Sequence, residues 1–216
     1  MDEQKRWSIL GDSVSTFQNY TPPGGVYYAP SSGPVTGVNT VEDTWWMRVI
    51  RAKNGTLLAN NSWSGSTVAE SGNLGAASLS RIRKLRVDEV SPDVVLVFTG
   101  LNDISRYVPL DVFRADYETM LRRIRDLFPA AEIWCGTLVA GYIQRPLFPK
   151  LSHFGKRLEE YNGAIREAAE AAGVRLADLA ALEGPEDAYE SMDGLHPSGT
   201  GMAQVAALWL RCLKAE

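Results

Sequence analysis

The apolar residues of this chain are concentrated in five short runs. They are RWSIL from Arg6, TLLAN from Thr56, DVVLVFT from Asp93, EIWCGTL from Glu132 and VRLADL from Val174. The third run is apolar at nearly every position, which is typical of a central parallel strand covered on both faces. We therefore predict five strands.

Longer segments with helical periodicity separate these runs. They span residues 41–53, 79–90, 111–128, 152–172 and 197–214. In the third segment, apolar side chains recur at three- and four-residue steps from Phe113 to Leu127, so one helix face is apolar. Because strands alternate with helices, each crossover returns to the same end of a parallel sheet. The pattern predicts one domain over 1–216, a three-layer α/β/α sandwich around a mainly five-stranded parallel sheet.

One region breaks the alternation of strands and helices. The segment 18–40 is rich in proline and glycine and carries three tyrosines. A loop of this length inside a compact domain is usually functional or disordered. We interpret it as an insertion that follows the first strand.

Composition and charge narrow the class of protein. The 216 residues are 45% hydrophobic and carry a formal net charge of −4, which indicates a globular chain and argues against a nucleic-acid partner. The basic cluster Arg81, Arg83, Lys84 and Arg86 is interpreted as the solvated side of a helix. Cys135 and Cys212 are too few for a disulfide framework. With neither a signal-like segment nor a membrane-spanning stretch, we expect a cytoplasmic protein without a membrane partner.

Three polar segments follow predicted strands, at the edge where sites form in parallel sheets, and a fourth precedes the last predicted helix. They are GDS at Gly11–Ser13, NNSWSGS from Asn60, GLND from Gly100 and DGLHPSG from Asp193. Ser13 is a candidate nucleophile, and Asp12 or Ser13 could instead be a helix N-cap. His196 is a candidate general base, which Asp193 three residues earlier could orient, although the segment also fits a plain loop-to-helix junction.

An attacked ester also requires hydrogen-bond donors where its carbonyl oxygen becomes negative. The side chain of Asn102 and the backbone N–H groups of Gly65 and Ser13 could supply them. The alternative for Asn102 and Asp103 is a turn or helix cap after the third strand.

These four segments, in this order, resemble the SGNH subgroup of the GDSL family of esterases and acylhydrolases over nearly the whole chain. One departure is GDSV in place of the commoner GDSL at the first segment. The resemblance implies a flavodoxin-like SGNH hydrolase fold, Ser13, His196 and Asp193 as catalytic triad, and Ser13, Gly65 and Asn102 as oxyanion hole. It implies neither a metal nor a cofactor.

The substrate is predicted from polar and aromatic residues near these segments. We expect Asp12, Tyr27, Tyr28, Trp45 and Trp63 to include substrate contacts, because flat aromatic faces suit sugar rings. The expected substrate is a small-molecule or oligosaccharide ester, such as an O-acetylated carbohydrate. The alternatives are a thioesterase or lysophospholipase-type acylhydrolase and a non-catalytic carbohydrate-binding protein on the same fold. The oligomeric state stays open.

Overall fold

A sheet of five parallel strands forms the centre of the protein in the computed structural model, which describes residues 4–71, 74–139, 141–143, 156–182 and 189–214. The strands of this part of the chain are β1 Arg6–Gly11, β2 Thr56–Asn60, β3 Val94–Phe98, β4 Glu132–Gly136, β5 Gly141–Ile143, β6 Arg175–Ala177 and β7 Tyr189–Ser191. The central sheet has the order β2-β1-β3-β4-β6, and every pair in it is parallel. The predicted α/β fold with a five-stranded parallel sheet is confirmed.

Strand register places the functional segments at one edge. Gly11 at the end of β1 lies opposite Phe98 at the end of β3, and Ile9 lies opposite Asn60 at the end of β2. Because neighbouring parallel strands end together, the loops that follow Gly11, Asn60 and Phe98 meet at one edge of the sheet.

Helices cover the sheet. Those of the described residues are α1 Gly33–Thr36, α2 Trp45–Ala52, α3 Leu79–Ile82, α4 Leu101–Ser105, α5 Leu110–Leu127, α6 Lys156–Ala172, α7 Leu179–Leu182 and α8 Gly199–Cys212. Helices α2 and α8 pack together through Trp45 and Trp209, and α5 packs on α6 through Phe113 and Tyr161. These pairs form the helical layers on the sheet.

The predicted helix over 79–90 is wrong in its second half. Helix α3 ends at Ile82 and continues only as a 3-10 turn to Leu85, after which Val87 and Val90 form an antiparallel bridge. Asp88 has φ +51°, a left-handed conformation that interrupts a right-handed helix. The first four residues of the predicted helix 152–172 lie outside the described residues.

The pairing of β5 with β7 was not predicted. These three-residue strands form a separate parallel pair, too short to show a period of two in sequence. Strand β7 leads directly into the turn that carries Asp193 and His196.

The loop at 18–40 is partly built into the core. Tyr28 and Val38 are fully buried, and residues 33–36 form the short helix α1. Within the described residues, no helix combines the length and apolar character that crossing a membrane requires.

Candidate active site

The site begins at the sharp turn that ends β1. A Cβ on Gly11 would lie 2.6 Å from Ser15 Oγ and 2.9 Å from Ser62 Oγ, so only glycine fits there. Asp12 caps the following 3-10 turn, Ser13–Ser15, by accepting a hydrogen bond from Val14 N at 3.1 Å. The N-cap alternative for Asp12 therefore describes its structural role, and Ser13 is held at the strand's carboxyl end.

The structure brings Ser13, His196 and Asp193 together. His196 Nε2 lies 2.9 Å from Ser13 Oγ, and His196 Nδ1 lies 2.6 Å from Asp193 Oδ2. Asp193 thus fixes the proton on Nδ1 and leaves Nε2 as an acceptor for the serine proton. This arrangement can activate a serine for nucleophilic attack.

The loop after β7 presents Asp193 and His196 together. The other carboxylate oxygen, Asp193 Oδ1, accepts hydrogen bonds from the backbone N–H groups of Leu195 at 2.9 Å and His196 at 2.7 Å. Gly194, which directly follows Asp193, has φ +91°, a conformation that favours glycine. Partial burial raises the pKa of Asp193, but the hydrogen bonds from His196 and Leu195 outweigh it and hold the pKa well below its ordinary value. The carboxylate therefore stays ionised.

Gly65 and Asn102 lie on adjoining segments at this edge. Asn102 Nδ2 donates to the carbonyl of Ser66 at 2.9 Å, which leaves the second N–H of the same amide for another acceptor. Gly65 has φ +74°, and Trp63 N in the same loop donates to Gly11 O at 3.2 Å. The loop of Gly65 thus lies against both α4 and the turn at Gly11–Ser13.

Asp103 is a site residue whose role sequence reasoning missed. It is fully buried and accepts hydrogen bonds from Val68 N at 2.8 Å and Ala69 N at 3.2 Å. Burial raises the pKa of Asp103 to about 6 in spite of these bonds. The neighbouring residues Asn102 and Asp103 together hold residues 66–69 in place.

Arg81 was expected on a solvated helix face, and that expectation is wrong. Its side chain is buried and donates hydrogen bonds to the carbonyls of Gly11 at 3.2 Å and Asn61 at 2.6 Å, and to Asn61 Oδ1 at 2.9 Å. These acceptors allow the charged group to lie inside the protein. Burial lowers the pKa of Arg81 to about 10. The other members of the cluster, Arg83, Lys84 and Arg86, are exposed as predicted.

The aromatic residues proposed for substrate contact lie in different environments. Trp45 and Tyr28 are fully buried, the first stacked on Trp209 and the second donating its hydroxyl to Pro197 O at 2.8 Å. Neither can touch a substrate, so these two interpretations do not hold. Tyr27 stacks on His196, whereas Trp63 is half-buried and packs on Gly25.

The second histidine of the sequence, His153, lies outside the described residues, so the contacts above concern His196 only. Within the described residues, no cluster of three or more histidine, cysteine or acidic side chains is arranged to hold a metal ion.

Comparisons with known proteins agree with this geometry. A sequence model of the family described as GDSL-like Lipase/Acylhydrolase matches residues 5–212. A structure described as a GDSL-like lipase from Bacteroides ovatus is 26% identical, with 100% of both chains covered and a TM-score of 0.74. Another so described, from Bacteroides uniformis, is 27% identical over 100% of this chain and 98% of that one, with a TM-score of 0.71.

A more distant structure, the family 3 carbohydrate esterase of Clostridium thermocellum, shares the fold. It is 17% identical over 97% of this chain and 94% of that one, with a TM-score of 0.63. No curated protein matches the sequence.

Proposed function

Since this chain belongs to the GDSL-like lipase/acylhydrolase family and is an ester hydrolase, we propose that it is a serine esterase acting on short-chain acyl esters through Ser13, His196 and Asp193. The observation that carries the proposal is the continuous hydrogen-bond chain from Ser13 Oγ through the His196 ring to Asp193. The resemblance predicted from four sequence segments is confirmed at the level of the family.

In the first step, Ser13 Oγ attacks the ester carbonyl carbon while His196 Nε2 takes its proton. Asp193 stabilises the imidazolium that forms. The carbonyl oxygen becomes negative and receives hydrogen bonds from the backbone N–H groups of Ser13 and Gly65 and from Asn102 Nδ2. The contact of Asn102 with Ser66 O supports this arrangement, because it orients the amide beside the loop of Gly65.

In the second step, the tetrahedral intermediate collapses and the bond to the leaving alcohol breaks. His196 gives its proton to that alcohol and leaves an acyl group on Ser13. Water then attacks the acyl-enzyme while His196 takes a proton from the water. Release of the carboxylic acid restores Ser13 with its proton.

We propose an O-acetylated carbohydrate as the substrate class. Trp63 supports this choice, because it is half-buried and its backbone is tied to Gly11 beside the nucleophile turn, where an indole face could receive a sugar ring. Tyr28 and Trp45 are packed in the core and cannot line a pocket for a long acyl chain. The likeness to the carbohydrate esterase, at 17% identity, shows the fold alone.

The test is hydrolysis of p-nitrophenyl acetate, butyrate and octanoate by wild type and Ser13→Ala, with circular dichroism on both. We expect kcat to fall by about 10⁴-fold or more in a folded variant, because Ser13 is the proposed nucleophile. Ser80→Ala, at an exposed serine of α3, is the matched control and should keep wild-type turnover.

The chain-length series separates the proposed activity from its alternative. Highest kcat/KM on acetate supports the short-chain esterase, and preference for octanoate supports a lysophospholipase-type acylhydrolase. Wild-type turnover in Ser13→Ala would contradict the serine mechanism itself.

A further inference from the structure

Tyr27 covers one face of the imidazole ring of His196. The two ring centroids lie 3.6 Å apart and the ring planes differ by 7°. The charge of Asp193 also lies close enough to the phenol of Tyr27 to raise its pKa. One side chain from the 18–40 loop thus covers the histidine of the acid–base pair and lies near its carboxylate.

The backbone beside Tyr27 is anchored to both halves of the triad. On the nucleophile side, Tyr27 N donates to Thr16 Oγ1 at 2.9 Å, and Thr16 Oγ1 donates to the carbonyl of Ser13 at 2.9 Å. On the histidine side, buried Tyr28 donates its hydroxyl to Pro197 O at 2.8 Å. The Tyr27–Tyr28 pair therefore bridges the first and last catalytic segments.

This bridge matters because the acid of the triad lies near the surface. The Asp193 side chain is 47% exposed, whereas that of His196 is 13% exposed. Water competes for an exposed carboxylate, so Asp193 alone is a weak restraint on the plane of the imidazole. The stacked ring of Tyr27 fixes that plane and shields one face of the imidazole from water.

We propose that Tyr27 is a positioning residue that holds the His196–Asp193 pair in line with Ser13, an inference that rests on the proposed function. An aromatic face is also favourable for the imidazolium that forms when the serine proton is transferred. The loop at 18–40 is accordingly part of the catalytic framework, and Tyr27 is not primarily a substrate contact.

The ionisation of Tyr27 is consistent with this role. Burial raises the pKa of Tyr27, and the negative charge of Asp193 raises it further. Tyr27 therefore stays a neutral phenol at neutral pH and places no second negative charge beside Asp193.

The first test compares Tyr27→Leu and Tyr27→Phe with wild type in p-nitrophenyl acetate hydrolysis. We expect kcat to fall by about 10²-fold in Tyr27→Leu, since misalignment of reacting groups has effects of this size, with KM changed less than about twofold. Tyr27→Phe keeps the stacked ring and loses only the hydroxyl, so its kcat should stay within about tenfold of wild type. Tyr20→Leu is the matched control, because Tyr20 lies in the same loop but packs on Phe17 and Trp46.

A second readout does not depend on activity. The chain has only two histidines, so a His153→Asn background leaves His196 as the single source of a low-field imidazole N–H signal in proton NMR. We expect the signal of the Nδ1 proton shared with Asp193 in wild type and in Tyr27→Phe. In Tyr27→Leu it should broaden, because water reaches the pair and exchanges the proton.

The outcomes separate the two proposals. An unchanged kcat together with an unchanged NMR signal in Tyr27→Leu would overturn the positioning role, and so would a rise in KM alone, which would make Tyr27 a substrate contact. Should Ser13→Ala retain wild-type hydrolysis while the NMR signal still depends on Tyr27, the esterase mechanism fails and the positioning of His196 by Tyr27 stands.

Discussion

Asp12 is a carboxylic acid buried directly before Ser13, the proposed nucleophile. Its exposure is 2%, and burial raises its pKa from the ordinary 3.8 to about 6, although the hydrogen bond from Val14 and the nearby His196 lower it. The negative charge of Asp103 adds to the increase. Holding this carboxylate ionised at neutral pH therefore has a cost in stability.

The sign of the effect follows from linkage. A folded-state pKa above the unfolded value gives stability that is complete below pH 3.8 and is lost as the pH rises through about 6. An increase of this size corresponds to about 3 kcal/mol in the free energy of unfolding. The free energy of unfolding of the wild type should therefore decrease between pH 4 and 7, and in Asp12→Asn the part of this decrease that Asp12 causes should be absent.

Urea unfolding at several pH values measures this slope. The slope is diagnostic because a change in packing at position 12 would alter stability at every pH alike. Asp103 should still contribute its own decrease, since its pKa is also raised to about 6. Asp126→Asn, at an exposed position of α5, is the control. An Asp12→Asn slope equal to that of wild type would refute the assignment.

At the scale of elements, helix α3 secures the ends of two strands through Arg81. The guanidinium donates to Gly11 O at the end of β1 and to Asn61 O just after β2, and it also bonds the carbonyl of Leu74. A planar fork with five N–H groups suits several acceptors at once. Arg81 thus stabilises the frame on which Asp12 and Ser13 sit.

We expect Arg81→Leu to lower the free energy of unfolding by about 3 kcal/mol or more, because several buried carbonyls lose their donor. Turnover of p-nitrophenyl acetate should fall as well, since the nucleophile turn is no longer fixed. Arg83→Leu removes an exposed arginine from the adjoining turn and should change neither quantity. Full stability and turnover in Arg81→Lys would show that one ammonium group suffices, contrary to this interpretation.

At the scale of the whole molecule, Trp209 joins the C-terminal helix to the N-terminal half. It is fully buried, stacks on Trp45 of α2 with centroids 5.3 Å apart and meets the edge of Phe98 from β3. The ring also fills the space beside Gly136, where a Cβ would come within 2.7 Å of it. This packing holds α8, and therefore the segment of His196 before it, on the sheet.

Trp209→Ala should lower the free energy of unfolding by about 3–5 kcal/mol, because it leaves a large cavity between α2, α8 and β3. Chemical denaturation followed by far-ultraviolet circular dichroism measures the loss. Trp209→Phe should lower the free energy of unfolding clearly less, because it keeps an aromatic ring at this position. The indole nitrogen that it removes has no hydrogen-bond partner among the described residues. Equal losses in the two variants would contradict the cavity argument.

The sequence predicted the features that depend on local pattern. Apolar runs such as Val94–Phe98 identified the strands, and the Gly-Asp-Ser and Asp-Gly-Leu-His segments identified the residues that the fold brings together. The burial of Arg81 could not be predicted, because its acceptors are backbone carbonyls distant in sequence. The stack of Tyr27 on His196 is likewise a tertiary contact that no periodicity records.

The hydrogen bond between Ser13 and His196 joins positions 183 residues apart, and α8 begins just beyond the histidine. If Ser13 and His196 act together as proposed, a chain still being synthesised on the ribosome carries the serine from the start but receives the histidine only near the end of translation. A fragment that stops before Asp193 would then lack the base for its serine, and reactivity at Ser13 would depend on contact between the two ends of the chain.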